Sequence, residues 1–106
     1  MISNFQIISS KANGNLHLKL YGDFDVNSAQ ELTNTLIMQS AGYRDIFIDT
    51  NDLKIIHPFG RIALQMNLSN FQKQLNNLFF IGANKYKIAS CAVYALVEAT
   101  LISGPA

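Results

Sequence analysis

A two-residue alternation of leucine with polar or amphipathic residues is the clearest pattern near the N-terminus. The leucines are Leu16, Leu18 and Leu20, and the residues between and after them are His17, Lys19 and Tyr21. This period predicts a strand with its leucines on one face and His17 on the solvent side. Phe5 to Ser9 also has strand composition, and Asn13-Gly14 predicts a two-residue hairpin between the two strands. The sheet is therefore expected to begin with an antiparallel pair.

The period then changes to that of a helix. The segment from Gly22 to Asp25 is expected to break the strand. Ser28 and Glu31 fit the S-x-x-E capping box, which predicts a helix that begins near Ser28. Gly42 is expected to end this helix. Its predicted apolar stripe consists of Ala29, Leu32, Leu36 and Ile37.

A buried strand and a second helix follow. Ile46-Phe47-Ile48 is a short apolar run that predicts a central strand, and Asp49 to Asp52 is interpreted as a polar turn. Pro58 suits the first turn of a helix and favours extended geometry at His57, which is therefore placed in a loop. From Phe59 the helix is predicted to continue to about Gln74. Its core stripe is predicted to be Leu64, Leu68, Phe71 and Leu75.

The C-terminal third predicts one more strand and helix. Leu78 to Ile81 has the composition of a buried strand, and Ala83 to Ile88 is interpreted as a loop, with a short extra strand as the alternative. Ser90 is placed to cap a last helix. Its apolar face would consist of Val93, Leu96, Val97 and Leu101. The predicted fold is a single α/β domain over residues 1–106, with a mixed, mostly parallel sheet of four to five strands and three to four helices.

The amino-acid composition disfavours some classes of function for this chain. Hydrophobic residues make up 49% of the chain, charged residues 14%, and the net charge is +1. The basic residues do not cluster along the sequence, which disfavours nucleic-acid binding. Neither a secretory leader nor a membrane-spanning run is evident, so a soluble, cytoplasmic protein is expected. Cys91 is the single cysteine and is interpreted as a buried, inert thiol.

Three segments carry a resemblance to a known family. Leu18 to Asp25 resembles a STAS strand that ends in Gly, an acidic residue, an apolar residue and Asp. Ile46 to Ile56 resembles the third strand and the approach to the regulatory loop. Ser90 to Leu96 resembles the start of the last STAS helix. Over about residues 5–101 the chain thus resembles a STAS domain, the fold of bacterial anti-sigma factor antagonists and of the cytoplasmic tails of sulfate transporters.

The regulatory loop departs from that family. It usually reads Asp, two hydroxyl residues and Gly, and in partner-switching members the first hydroxyl is phosphorylated by the anti-sigma kinase. Here the corresponding residues are His57, Pro58, Phe59 and Gly60, so that only the glycine matches. The acceptor position has no hydroxyl, so phosphate cannot switch the protein at this site. The nearest hydroxyls, Thr50 and Ser69, are expected in a turn and inside the helix.

The candidate site residues have competing interpretations. His57 could transfer a proton, bind phosphate or carry a phosphate itself, or it is simply an exposed loop residue. Asp23 and Asp25 are expected to converge with His57 at one end of the sheet, but they also suit turns and helix caps. Phe59 and Arg61 are residue types enriched at protein interfaces, although Phe59 could instead pack in the core.

The remaining alternatives concern other residues and other functions. Lys85, Tyr86 and Lys87 form either a small basic rim or a solvated loop. The hypothesis favoured by the resemblance is a non-catalytic interaction module. It would bind a kinase-like, ATP-binding anti-sigma factor, or another regulatory protein such as a phosphatase, through Asp23, Asp25 and the segment from His57 to Arg61. The alternatives are an anion- or nucleotide-sensing or scaffold domain, and an accessory subunit of a membrane transporter. No catalytic set, metal site or cofactor is predicted. Low charge and the edge strand are compatible with a homodimer.

Overall fold

The strands of the computed structural model form one four-stranded sheet, and the structure describes residues 4–71 and 77–88. In chain order the elements are β1 (Gln6–Ala12), β2 (Asn15–Phe24), α1 (Val26–Gln39), β3 (Asp45–Ile56), α2 (Pro58–Phe71), β4 (Asn77–Ile81) and α3 (Lys85–Ile88). The order across the sheet is β1-β2-β3-β4. The first pair is antiparallel and the other two pairs are parallel. The predicted mixed α/β sheet with an opening hairpin is confirmed.

The predicted hairpin and core face of β2 are present. Ala12 lies opposite Asn15, so Asn13 and Gly14 are the two turn residues. The leucines of β2 are buried and join a core that also takes residues from α1, α2, β3 and β4. The core members from these four elements include Ala29, Leu32, Leu36, Ile46, Ile48, Leu64, Leu68, Leu78 and Phe80. Burial of this apolar face is the main source of the sheet–helix packing.

The segment from Gly22 to Phe24 does not break β2, contrary to the sequence prediction. The strand continues to Phe24, and its pairing with β3 shifts register between Gly22 and Asp23. Gly22 has φ +89°, a conformation that glycine adopts without the steric penalty of a side chain. A glycine inside a strand often marks such an irregularity. Here it allows β2 to continue to Phe24.

Helix α1 begins earlier than predicted, and the proposed Ser28–Glu31 capping box is wrong. Asp25 is the N-cap, and Ser28 is buried inside the first turn. Asp25 and Ser28 have the three-residue spacing of a capping pair, with the Asp25 side chain as the hydrogen-bond acceptor. The predicted apolar stripe is correct except for Ile37, which is 38% exposed. Thr33 occupies the buried position instead, with its hydroxyl donating to the Ala29 carbonyl (2.8 Å).

Strand β3 passes through the polar segment that was predicted to be a turn. Between Lys19 and Tyr21 of β2 there is one intervening residue, whereas two separate the facing Asp49 and Asp52 of β3, so the extra residue forms a bulge. Thr50 is fully buried there, and its hydroxyl donates to the Ile81 carbonyl of β4 (2.8 Å). Cross-strand pairing thus outweighs the turn preference of four consecutive polar residues.

Residues 85–88 form the short helix α3, so the predicted loop is wrong there. The Asn84 carbonyl accepts from the backbone N–H groups of Lys87 (3.0 Å) and Ile88 (3.1 Å). Ile88 is fully buried and belongs to the core, which fastens this turn to the sheet. The predicted last helix, Cys91, the helical extension to Gln74, and Phe71 and Leu75 as core residues lie outside what the structure describes.

Candidate functional site

The carboxyl ends of β2 and β3 lie side by side and bring the two candidate segments together. Phe24 is paired with Ile56, and the His57 N–H donates to the Phe24 carbonyl (2.9 Å). The next residue of each segment, Asp25 and Pro58, begins or caps a helix. The Asp23–Asp25 segment and the start of α2 therefore form one continuous surface.

Gly60 is the residue that allows α2 to begin so close to Asp25. It is buried, and a Cβ added to it would lie 2.7 Å from the Asp25 carbonyl carbon and 2.8 Å from its Cα. Side chains do not tolerate such distances to backbone atoms. The glycine at this position is required by the close approach of two backbones, independently of any regulatory chemistry.

Asp25 serves as a helix cap. Its Oδ1 accepts from the Ser28 N–H (2.9 Å) and from the Ser28 hydroxyl (3.0 Å). The backbone hydrogen bond from Ser28 is the main reason that the pKa of Asp25 falls below its ordinary value of 3.8, and the nearby His57 charge lowers it further. An ionised carboxylate that accepts two hydrogen bonds is suited to stabilising the helix start and poorly suited to donating a proton.

Asp23 contributes through its backbone. Its N–H donates to the Asn4 Oδ1 (3.0 Å), and its carbonyl shares the single proton of the Ser28 hydroxyl (2.9 Å) with the Asp25 Oδ1. These bonds hold the end of β2 against the first turn of α1. Asp25 is therefore a helix cap, whereas Asp23 lies in β2 and not in a turn.

His57, Pro58 and Phe59 are exposed, and Arg61 is half-buried. Phe59 has 74% of its surface in solvent, so the alternative that it folds into the core is wrong. Of the neighbouring hydroxyls, that of Thr50 is fully buried, and that of the exposed Ser69 donates to the Gln65 carbonyl within α2 (3.0 Å).

Phe59 is part of a longer apolar stripe that the sequence analysis missed. Ile62 and Met66 follow it at spacings of three and four residues and are 44% and 61% exposed. This spacing places all three on one face of α2, opposite the buried Leu64 and Leu68. We call Phe59, Ile62 and Met66 the exposed α2 stripe. The helical spacing was visible in the sequence, but it became informative only once Leu64 and Leu68 were known to face the core.

A row of rings crosses the face of the sheet opposite the core. His17 stacks on Phe47 at a centroid distance of 4.9 Å, and Phe47 stacks on Phe79 at 5.2 Å. The register aligns these three residues across β2, β3 and β4. His17 thus lies on the predicted face of β2, where a phenylalanine side chain from the next strand packs against it.

Two further properties concern the described part of the chain. Within residues 4–71 and 77–88, no group of three or more His, Cys, Asp and Glu residues is arranged to hold a metal ion. No helix in these ranges has the length and apolar character needed to cross a membrane.

Solved structures with the same architecture include two anti-sigma factor antagonists. The antagonist from Mycobacterium paratuberculosis superimposes with a TM-score of 0.62 at 14% identity, covering 96% of this chain and 97% of that one. The STAS domain of the antagonist from Rhodobacter sphaeroides gives a TM-score of 0.59 at 16% identity, covering 83% and 94% of the respective chains. The chain has a STAS fold. At these identities the likeness concerns the fold.

The STAS fold of this chain also matches part of a larger protein. A structure of Mglu superimposes with a TM-score of 0.61 at 14% identity over 72% of this chain, but the chain spans only about a fifth (19%) of the length of Mglu. No protein-family model and no curated protein matches the sequence.

Replacing Asp25 should destabilise the protein in a pH-dependent way. At pH 7 we expect Asp25→Ala to lower the free energy of unfolding by about 1 kcal/mol, as for other N-caps, and Asp25→Asn to lower it much less. The depressed pKa means that the wild-type carboxylate stabilises the fold above its unfolded pKa, near 3.8. This contribution is lost as the pH falls through the lower folded pKa. Urea unfolding from pH 7 to pH 2 tests this. Equal stability of wild type and Asp25→Ala at pH 7 would contradict it.

Gly60→Ala should destabilise the protein although alanine favours helices. The added methyl group meets the Asp25 backbone, so we expect a net loss of about 1–3 kcal/mol. Asn70→Ala is the matched control, because Asn70 is an exposed residue of the same helix and its replacement changes helix propensity alone. Denaturant unfolding should separate the two variants, and a stabilised Gly60→Ala protein would show that the two segments are not in close contact.

Proposed function

We propose that this STAS-fold chain is a non-catalytic regulatory module that binds a protein partner through the exposed α2 stripe and the adjoining Asp23–Asp25 segment. The exposed α2 stripe is the observation that carries the proposal. A phenylalanine, an isoleucine and a methionine stand in solvent on one face of a helix whose other face fills the core. Exposed apolar side chains gathered in this way are typical of protein interaction sites.

The composition of the surface supports a protein partner over other ligands at this site. Aromatic residues and Met are enriched at interface centres, and the exposed α2 stripe presents Phe59 and Met66 on one face of the helix. His57 and Asp25 would form a polar rim beside the apolar stripe. Such a surface resembles a standard interface with an apolar centre and a polar edge.

The nature of the partner is proposed from the structural neighbours, which are described as anti-sigma factor antagonists. The partner would then be an anti-sigma factor of the kinase-like, ATP-binding type, and the chain would act in bacterial transcription regulation in the cytoplasm. Pro58 occupies the place of the phospho-acceptor, and the buried Thr50 is a poor substitute. Binding is therefore proposed to be constitutive, without the phosphate-dependent release of partner switching.

Constitutive binding predicts that the chain does not accept phosphate from the anti-sigma kinase. After incubation with ATP and the anti-sigma kinases encoded in the same genome, intact-mass spectrometry should show the unmodified mass. Pro58→Ser is the matched variant, because it restores a hydroxyl at the acceptor position. Stoichiometric phosphate on the wild-type chain would contradict constitutive binding.

Docking through the exposed α2 stripe predicts that its replacement weakens partner binding. Phe59→Ala should weaken binding to the anti-sigma factor by at least about 1 kcal/mol, or roughly fivefold, as expected for an aromatic residue at the centre of an interface. Titration calorimetry with and without ATP measures this. Met66→Ala should weaken binding in the same direction.

Met38→Ala is the control, because Met38 is 81% exposed and lies on α1 outside the stripe. Since Phe59 and Met38 are both exposed, neither replacement should change the free energy of unfolding by more than about 0.5 kcal/mol. An equal loss of affinity in the Met38 and Phe59 variants would contradict docking through the stripe.

A further inference from the structure

A pocket of about 390 Å³ lies between the end of β3, the start of α2 and α3. This volume falls within the range of pockets that hold small ligands. Its lining residues are Lys54, Ile55, Ile56, Arg61, Asn84 and Lys87. We call it the basic pocket.

Three cationic side chains and no carboxylate line the basic pocket. They are three of the eight lysines and arginines in a chain of net charge +1, so positive charge is concentrated here. The ion pairs within the described residues are Lys19–Asp52 (3.7 Å) and Arg44–Asp45 (3.5 Å), and none involves the pocket cations. A lining with several cations and no carboxylate favours an anionic ligand.

Arg61 provides an independent indication of a missing partner. Its Nε is buried, and this N–H has no hydrogen-bond partner within the described part of the chain. Buried donors in proteins are almost always bonded, because an unpaired one forfeits its hydration without compensation. The guanidinium of arginine binds carboxylate and phosphate oxygens in pairs, which would engage Nε together with a terminal nitrogen.

The wall of the pocket is held in place before any ligand arrives. The Asn84 Nδ2 donates to the carbonyls of Thr50 (2.8 Å) and Leu53 (3.3 Å), which ties the start of α3 to β3. The fully buried Ile88 fixes the end of the same short helix, next to Lys87. A backbone wall that is already in place loses less conformational entropy on binding.

We propose that the basic pocket binds the phosphate group of a small phosphorylated molecule. Three cations exceed what one carboxylate would neutralise, whereas a phosphate monoester carries about two negative charges and three acceptor oxygens. Ile55 and Ile56 line the same pocket and offer an apolar wall to the remainder of the ligand. The site does not require the exposed α2 stripe to bind a protein, so it stands independently of the proposed function.

Titration calorimetry at low ionic strength tests the proposal with inorganic phosphate, pyrophosphate, ATP and GTP, and with acetate as a monovalent control. We expect saturable binding of the phosphate-bearing compounds, tighter than that of acetate and weakened by added salt. Tighter binding of a nucleotide than of pyrophosphate would show that the nucleoside also contacts the pocket. Equal binding would show that the phosphate moiety is the whole ligand.

Variants locate the binding. Arg61→Lys keeps the charge but removes Nε and the paired geometry, and Lys87→Gln removes a charge from an exposed residue without disturbing the core. Each should raise the Kd for the tightest phosphate compound about tenfold or more. Lys11→Gln on β1 makes the same charge change away from the pocket and should alter the Kd less than about twofold.

Two results would overturn the proposal. One is the absence of saturable binding of every phosphate compound up to about 10 mM at low salt. The other is an equal loss of binding in Lys11→Gln and Lys87→Gln, which would indicate attraction to net charge alone. Because Lys87 is exposed, Lys87→Gln provides a folded test protein even if Arg61→Lys proves unstable.

Discussion

The parallel pairing of β2 with β3 is the constraint on which the functional end of the molecule depends. It aligns Phe24 with Ile56 at the ends of the two strands, and the hydrogen bond from the His57 N–H to the Phe24 carbonyl closes this alignment. A shift of one residue would turn the buried face of β3 outward, so the hydrophobic pattern holds the register firmly. The starts of α1 and α2 therefore lie side by side, and Gly60 allows the backbone of α2 to pack closely against that of Asp25.

Helix α2 has two apolar faces with different roles. Leu64 and Leu68 are fully buried against the sheet and α1, whereas the exposed α2 stripe faces solvent. The buried face accounts for the helix being there at all, because most helical stability in proteins comes from such packing. The exposed stripe adds nothing to that packing and carries a solubility cost, which is understandable if a partner covers it. The Asn67 side chain, which donates to the Thr33 hydroxyl of α1 (3.2 Å), adds a polar link between the two helices.

The exposed α2 stripe and the basic pocket share the first turns of α2 but differ in chemistry. Phe59 and Ile62 lie on either side of Arg61 in the sequence, and Arg61, whose Nε is buried, lines the basic pocket. An apolar surface suits a protein, and a small cavity lined by cations suits an anion. Pro58 offers no hydroxyl for phosphorylation, whereas the basic pocket is proposed to bind a phosphate group that a ligand supplies.

Local sequence patterns were sufficient to predict several elements of the fold. The alternation in β2, the Asn13-Gly14 turn and the position of Pro58 at the start of α2 all concern residues within a few positions of one another, so the sequence alone predicted them. The four polar residues from Asp49 to Asp52 were misjudged because cross-strand bonds, which no local pattern records, hold them in β3. Exposure of Phe59 was also undecided, since a helix start can face either way until its packing is known.

Tertiary structure alone decided the remaining features. Lys54, Arg61 and Lys87 are scattered along the sequence and carry no common motif, yet β3, α2 and α3 bring them to one cavity. The requirement for glycine at position 60 likewise depends on the Asp25 backbone, which is 35 residues away in the chain. Periodicity reports only the face on which a residue lies, whereas the partner on that face is set by strand register and helix packing.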